Sequence, residues 1–412
     1  MGNSLYAGIS GLNACERQMD VIGNNIANTN TIGFKSAKVY FSDILSQSLA
    51  GGVQIGRGVC VSDIGTQFTP GSFETTANAT DLSIDGDGFF IVKDENNAHY
   101  YTRAGAFHID EDGYLVNLNG YRVQGLTGAV GAETMGDIPL RDARSEPVAT
   151  KEFSAGINLD AETPEGDTFY VSQTVYDSLG ASHTLSIKFI KTANAGEWEY
   201  HAYMDDVESD TTVGAPGTIT FEADGTLDPT QEDEELNFND FQTNYLTTGA
   251  EIGDANNIVW VLAGDLGSTA TPEAITSYAS ASVTRTLTQD GYASGFLKSL
   301  SIGQEGEISG YFTNGQTSNL GYIVLANFTN PWGLNQVGAN LFCTTTESGE
   351  GVTNQAGTGG MGSIISNSLE MSNTDIATEF INMITAQRAY QANAKVVQTT
   401  DAMMGELMNI KR

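Results

Sequence analysis

Chemistry in a folded chain needs particular side chains at particular spacings, and these 412 residues offer few such sets. The histidines His99, His108, His183 and His201 include no pair at metal-ligand spacing. The three cysteines, Cys15, Cys60 and Cys343, form no Cys-x-x-Cys and cannot close into a disulfide set. Asp85-Gly86-Asp87-Gly88 has the oxygens of an incipient calcium loop. Phe89-Phe90-Ile91-Val92 then follows where such a loop needs more ligands and a closing Glu. A tight turn between strands is the better reading. There is no Gly-x-Ser-x-Gly elbow and no phosphate loop. With 51 Asp and Glu, some carboxylate pair at glycosidase spacing is expected anyway and is uninformative. Trp198, Trp260 and Trp332 are too scattered for a sugar platform and read as core residues. No catalytic residue, cofactor or metal ligand is assigned, and the chain is not read as an enzyme.

Charge narrows the partners. The net charge is −33, from 18 basic and 51 acidic residues, which argues against nucleic acid or an anionic membrane surface. Only 17% of residues are charged and 40% are hydrophobic, so this is not a disordered acidic tail. No apolar run is long enough to span a membrane. The acidity is uneven: residues 146–284 hold 25 Asp and Glu against 3 Lys and Arg. Self-repulsion places such a segment outermost, in solvent.

With no local site in view, the elements themselves carry the information. Leu5, Ile9, Leu12, Cys15, Met19, Ile22 and Ile26 step by threes and fours, one apolar face of a helix of about 25 residues. Gly8 and Gly11 within it each cost up to about 1 kcal/mol against Ala, so this helix needs a partner. At the other end, Asn373, Thr374 or Asp375 caps a helix reaching about residue 409. Ile376, Phe380, Met383, Gln387, Tyr390, Ala394 and Val397, continued by Met403 and Leu407, make a heptad-like stripe that suggests a coiled-coil seam. Between the ends lie short strands and hairpins, among them Thr168–Tyr176 and Thr184–Ile190 around Asp177-Ser178-Leu179-Gly180. The stretch 344–362 is polar and Gly-rich and reads as a linker, with hinges near Gly51-Gly52 and Gly357–Gly362. The fold class is multidomain α+β: terminal helices in a coiled-coil-like inner domain, plus mainly antiparallel β domains. The expected division is 1–30 with 365–412 as the helical part and 31–75 with 350–364 as connectors. It continues with 76–145 and 285–349 as an inner β domain and 146–284 as an acidic outer one.

Two end segments then resemble a known family. Val21 to Lys35, reading Val-Ile-Gly-Asn-Asn-Ile-Ala-Asn-Thr-Asn-Thr-Ile-Gly-Phe-Lys, is similar to the N-terminal signature of bacterial flagellar rod and hook proteins. Its residues here are Gly23, Asn24, Asn25, Ala27, Asn28, Gly33, Phe34 and Lys35. Leu369 to Ala394, with Gln387, Arg388, Tyr390 and Asn393, resembles that family's C-terminal signature. The segment 146–284, with Thr174 to Leu185, looks like the outer domain of the hook members. The resemblance implies a structural subunit that self-assembles into a curved, flexible helical tube, the flagellar hook, which couples rod to filament and transmits torque. It implies many copies of the chain as partners, together with distal rod, hook cap and hook–filament junction proteins and the flagellar type III export apparatus. Location would be the extracellular hook, reached without a cleaved signal peptide, and the ends would gain order on assembly. Phe41 and Leu45 resemble an export-recognition element. The alternatives are a distal rod protein of the same family and, from another class, a secreted β-rich adhesin or glycan-binding protein.

Overall fold

The computed structural model describes residues 2–45, 56–127, 134–140, 143–205, 207–208, 217–231, 233–238, 241, 246, 249–254, 257–262 and 275–410. The chain divides into two compact units. The first comprises Met1–Ala143, Ser299–Gly310 and Ser318–Arg412; the second comprises Arg144–Lys298 and Tyr311–Thr317.

In the first unit the ends form two helices, α1 (Gly2–Ala27) and α2 (Ile376–Ile410). They run antiparallel: Gly8 lies against Val397, and Asn25 Nδ2 reaches Glu379 Oε1 at 3.4 Å. The two helical glycines now have a reason. A Cβ on Gly8 would sit 2.9 Å from Val397 Cγ2, and one on Gly11 would sit 2.7 Å from Asn393 Nδ2. Their bare backbones let α2 approach closely, which offsets the propensity they cost. Cys15 is buried, and Asn393 Nδ2 donates to its Sγ at 3.8 Å. Asp375 is the cap of α2: Oδ1 accepts from Ala377 N at 2.9 Å and Oδ2 from the Thr378 hydroxyl at 2.8 Å. Those two bonds hold its carboxyl below the usual carboxylate range.

A segment expected to be a plain connector is an ordered ribbon. β1 (Ala37–Leu45) and β2 (Gly56–Thr66) pair antiparallel, with a register shift at Tyr40/Phe41. The ribbon meets α1 where Val59 N donates to Ser10 Oγ at 3.2 Å. Gly51 and Gly52 lie outside the described residues.

The β core of this unit is built on Phe89–Lys93 and Thr317–Asn327, joined where Leu325 pairs with Phe90. Phe90 and Val92 enter one apolar cluster with Leu82, Ile84 and Ile323, while Phe89 and Ile91 enter another with Val324, Phe328 and Phe342. A strand buried on both faces is why Phe89 to Val92 is an unbroken apolar run. Asp85 to Gly88 is a turn between strands as read, with Gly86 and Gly88 at φ 110° and 130°. The expected linker 344–362 is corrected: Val352–Gln355 is a strand paired with Thr317–Asn327. Gly357–Gly362, expected as a hinge, is an ordered turn tied by backbone bonds. Gly357 N bonds Gly362 O, Gly362 N bonds Asp87 O, and Met361 beside them is buried.

In the second unit, Thr168–Tyr176 and Ser182–Lys191 form the expected hairpin, and Glu197–Met204 extends it. Every other residue from Trp198 to Met204 is buried. Trp260 lies at the centre of the core, 5.6 Å from the Phe153 ring and 5.1 Å from that of Tyr200. Trp332, in the first unit, departs from the core reading: it is 66% exposed and stacks on Tyr40.

Gly11→Leu should force α1 from α2. Overpacking at such a site costs about 1–3 kcal/mol. Hydrogen exchange of Ala386 to Thr400 in the variant should rise above wild type, and unchanged exchange would contradict the close helix contact.

Candidate assembly site

The loop leaving α1 and the segment entering α2 are tied into one buried knot. Glu370 is its centre, with a fully buried side chain. Lys35 Nζ donates to Glu370 Oε1 at 2.5 Å and to Thr69 O at 2.8 Å. Gly71 N donates to the same carboxylate at 2.9 Å, and Gly33 N to the Glu370 carbonyl at 2.7 Å. Arg103 Nη1 lies 3.6 Å from Glu370 Oε2, an ion pair without a hydrogen bond, while its Nη2 donates to Gly86 O. Burial pushes the Lys35 ammonium below the usual lysine range, and Glu370 opposes that push. Arg103 responds in the same direction and for the same reason.

The signature residues divide by where they point. Asn25 is buried and pairs with both backbone groups of Ala37, donating to the carbonyl and accepting from the N–H. Gly33 sits at φ 69°, and a Cβ there would overlap the Ala104 backbone. Phe34 and Lys35 are buried. Asn393 packs against α1, and Asn28 bonds back to Asn24. Gly23 is half-buried, with open space where its Cβ would be. Asn24, Ala27, Gln387, Arg388 and Tyr390 are exposed.

The apolar stripes are placed unevenly. Ile22 of α1 is buried; Leu5, Leu12, Met19 and Ile26 are half-buried, and Ile9 is exposed. On α2, Asn393 and Val397 meet α1 at Gly11 and Gly8, and Ala386 and Thr400 are buried in the same row; of these, Val397 belongs to the heptad stripe and the other three do not. Ile376, Phe380, Ile384, Tyr390 and Met403 are exposed, and Met383 is half-buried. At about 100° per residue, Ile376, Phe380, Met383, Ile384 and Tyr390 share one broad face that adjoins the row meeting α1, with Tyr390 and Met383 nearest that row and Phe380 and Ile384 farthest from it. Leu407's side chain lies outside the described residues. Phe41 is exposed in β1, opposite Val61. Leu45 ends that strand, its side chain outside the description.

Glu370 and Arg103 were not picked out from sequence. Glu370 stands in a segment that carries the family resemblance, but its ion pair with Lys35, 335 positions away, leaves no periodic signal. Among the described residues no group of His, Cys, Asp or Glu could hold a metal ion, and no helix is long and apolar enough to cross a membrane.

The chain's ends are knotted together and its last helix leaves a long apolar face open, the form of a protein that meets other molecules through its ends. Comparisons agree with that class. Residues 5–35 match the family described as flagella basal body rod protein, and residues 365–410 match the flagellar basal body rod FlgEFG protein C-terminal family. Residues 83–172 match the flagellar hook protein FlgE/F/G D1 domain, and residues 142–292 the flagellar basal body protein FlaE D2 domain. The chain is 36% identical to the flagellar hook protein FlgE of Borreliella burgdorferi, covering 100% of both chains. It is 34% identical to that of Escherichia coli, covering 98% of both. The chain belongs to the flagellar hook protein family.

Glu370→Gln would leave Lys35 and Arg103 buried beside no anion. Breaking a buried ion pair from one side costs on the order of 3–5 kcal/mol. The denaturant midpoint of the variant should fall accordingly, and adding Lys35→Met should recover part of the loss, because residues in contact do not act additively. A midpoint unchanged in Glu370→Gln would contradict the central role of this carboxylate.

Proposed function

We propose that this chain is a structural subunit of the bacterial flagellar hook, self-assembling into a curved, flexible helical tube that couples rod to filament and transmits torque. The observation that carries the reading is the open apolar face of α2, from Ile376 to Tyr390. An apolar face of that length on a long helix is stabilised by burial against a neighbour. The contact it invites is coiled-coil-like and made between copies, because α1 of the same chain already occupies the adjoining row at Asn393 and Val397. Repeated head to tail without closing, such contacts make a filament. The exposed signature residues Asn24, Ala27, Gln387, Arg388 and Tyr390 belong to this inter-subunit surface, and the ends gain order on assembly.

In this reading α1 and α2 line the inside of the tube, the β core of 76–145 and 285–349 lies further out, and 146–284 is outermost. The acidic outer segments slide past one another as the tube bends, since exposed charge contacts are worth about 0–1 kcal/mol each. The subunit works without a catalytic centre. Its partners beyond its own copies are the distal rod, hook cap and hook–filament junction proteins. It reaches the extracellular hook through the flagellar type III export apparatus without a cleaved signal, with Phe41 and Leu45 as the export element. A distal rod protein is disfavoured by the match of 142–292 to the FlaE D2 domain.

Phe380→Asp combined with Ile384→Asp tests this directly. Both sites are exposed, so the monomer should lose no more than about 0.5 kcal/mol per site. Electron microscopy should show no tubes at concentrations where wild type forms them. Tubes of normal length from the variant would contradict the proposal.

A further inference from the structure

We infer that a basic and aromatic patch in the second unit, built by Arg144, Phe296, Lys298 and Tyr311, docks the acidic 146–284 segment of a second copy of this chain. This rests on the tube-forming reading above and says which surfaces of neighbouring second units meet. Arg144–Ser145 pairs antiparallel with the start of Gly295–Ile302, setting Arg144 opposite Phe296. Directly opposed residues share a face of a sheet, as do residues two apart on one strand. Arg144, Phe296 and Lys298 therefore form one group on one face. The Arg144 guanidinium lies 5.4 Å from the centre of the Phe296 ring, within cation–π range. Glu307–Phe312 neighbours Gly295–Ile302 in the sheet, and Thr313 N donates to Phe296 O at 2.9 Å, which brings Tyr311 next to the group; Phe296 is 61% exposed and Tyr311 46%, and both cations are exposed. Arginine beside large uncovered aromatics is the composition found at interface centres.

Charge says what covers the patch. Residues 146–284 carry 25 acidic groups against 3 basic ones. One of those three, Lys191, is buried, with its ammonium on the carbonyls of Asn194 and Glu197. The patch thus sets two exposed cations on a strongly negative unit, with exposed Glu146 two positions beyond Arg144. Copies with that much like charge repel, and a local cationic anchor reverses the sign of the contact where it touches. Patch and acidic surface are different regions of the same chain, so the contact is heterologous and repeats along a tube. Being electrostatic, it also weakens with salt.

The test uses the full chain. In Arg144→Glu with Lys298→Glu, the critical concentration for tube growth should rise about tenfold at about 0.05 M salt. The gap to wild type should shrink to less than about twofold near 1 M, where the screening length is about 3 Å. Equal critical concentrations at low salt would overturn the inference. If the charge-reversed chain does not fold, a photo-crosslinker decides: Tyr311→p-benzoylphenylalanine in assembled tubes should link to 146–284 of another copy. Links to any other segment would overturn it. Wild-type chain that forms no tubes contradicts the hook reading itself, whereas normal wild-type tubes with an unshifted variant contradict only this inference.

Discussion

Everything at the ends of this molecule depends on one buried contact, the Glu370 carboxylate held by Lys35 and faced by Arg103. Three charged groups leave water together there, and the arrangement stands only because each supports the others. The carboxylate also accepts from Gly71 N, and the Glu370 carbonyl from Gly33 N. That fixes where α1 ends and where α2 begins. The two helices therefore start their antiparallel run from a common anchor, and Gly8 and Gly11 let them close along it.

The anchor has a consequence for mechanics. A joint made of buried charge and paired backbone resists bending, because any opening strands a charge in a low-dielectric site. The helix pair and the β core around Phe89 to Val92 are joined through it, so force applied to the helices is passed on to the β core. The Gly-rich turn at Gly357–Gly362 is held in the same way by backbone bonds. The second unit carries most of the chain's net negative charge, and contacts between solvated charges are worth little.

Much of this was legible in the sequence where it depends on local pattern. The two helices, a cap among Asn373 to Asp375, the turn at Asp85 to Gly88 and the hairpin around Asp177 all follow from spacing and residue type within a few positions. The knot was not legible, since Lys35, Arg103 and Glu370 are brought together only by the fold. The direction of the α2 stripe also escaped. Periodicity shows that an apolar face exists, not whether the chain's own α1 or another molecule covers it. Here Val397 and Asn393 meet α1 at Gly8 and Gly11, where even an added Cβ would come within 3 Å of them. The ribbon β1–β2 hid in a segment that lacks strict alternation, because of its register shift at Tyr40/Phe41. Trp332 shows the same limit from the other side: residue type favoured the core, and its position in the short Pro331–Gly333 helix put it at the surface.

The central claim is that the open face of α2 is the surface on which copies of this chain assemble. The most direct measurement is a cryo-electron microscopy map of tubes grown from the purified chain, at a resolution that places side chains. The account predicts a curved tube in which Phe380, Ile384 and Tyr390 of each copy are buried against a neighbouring copy, with α1 and α2 innermost. A map in which those three side chains face solvent, or in which copies meet only through their β domains, would contradict it.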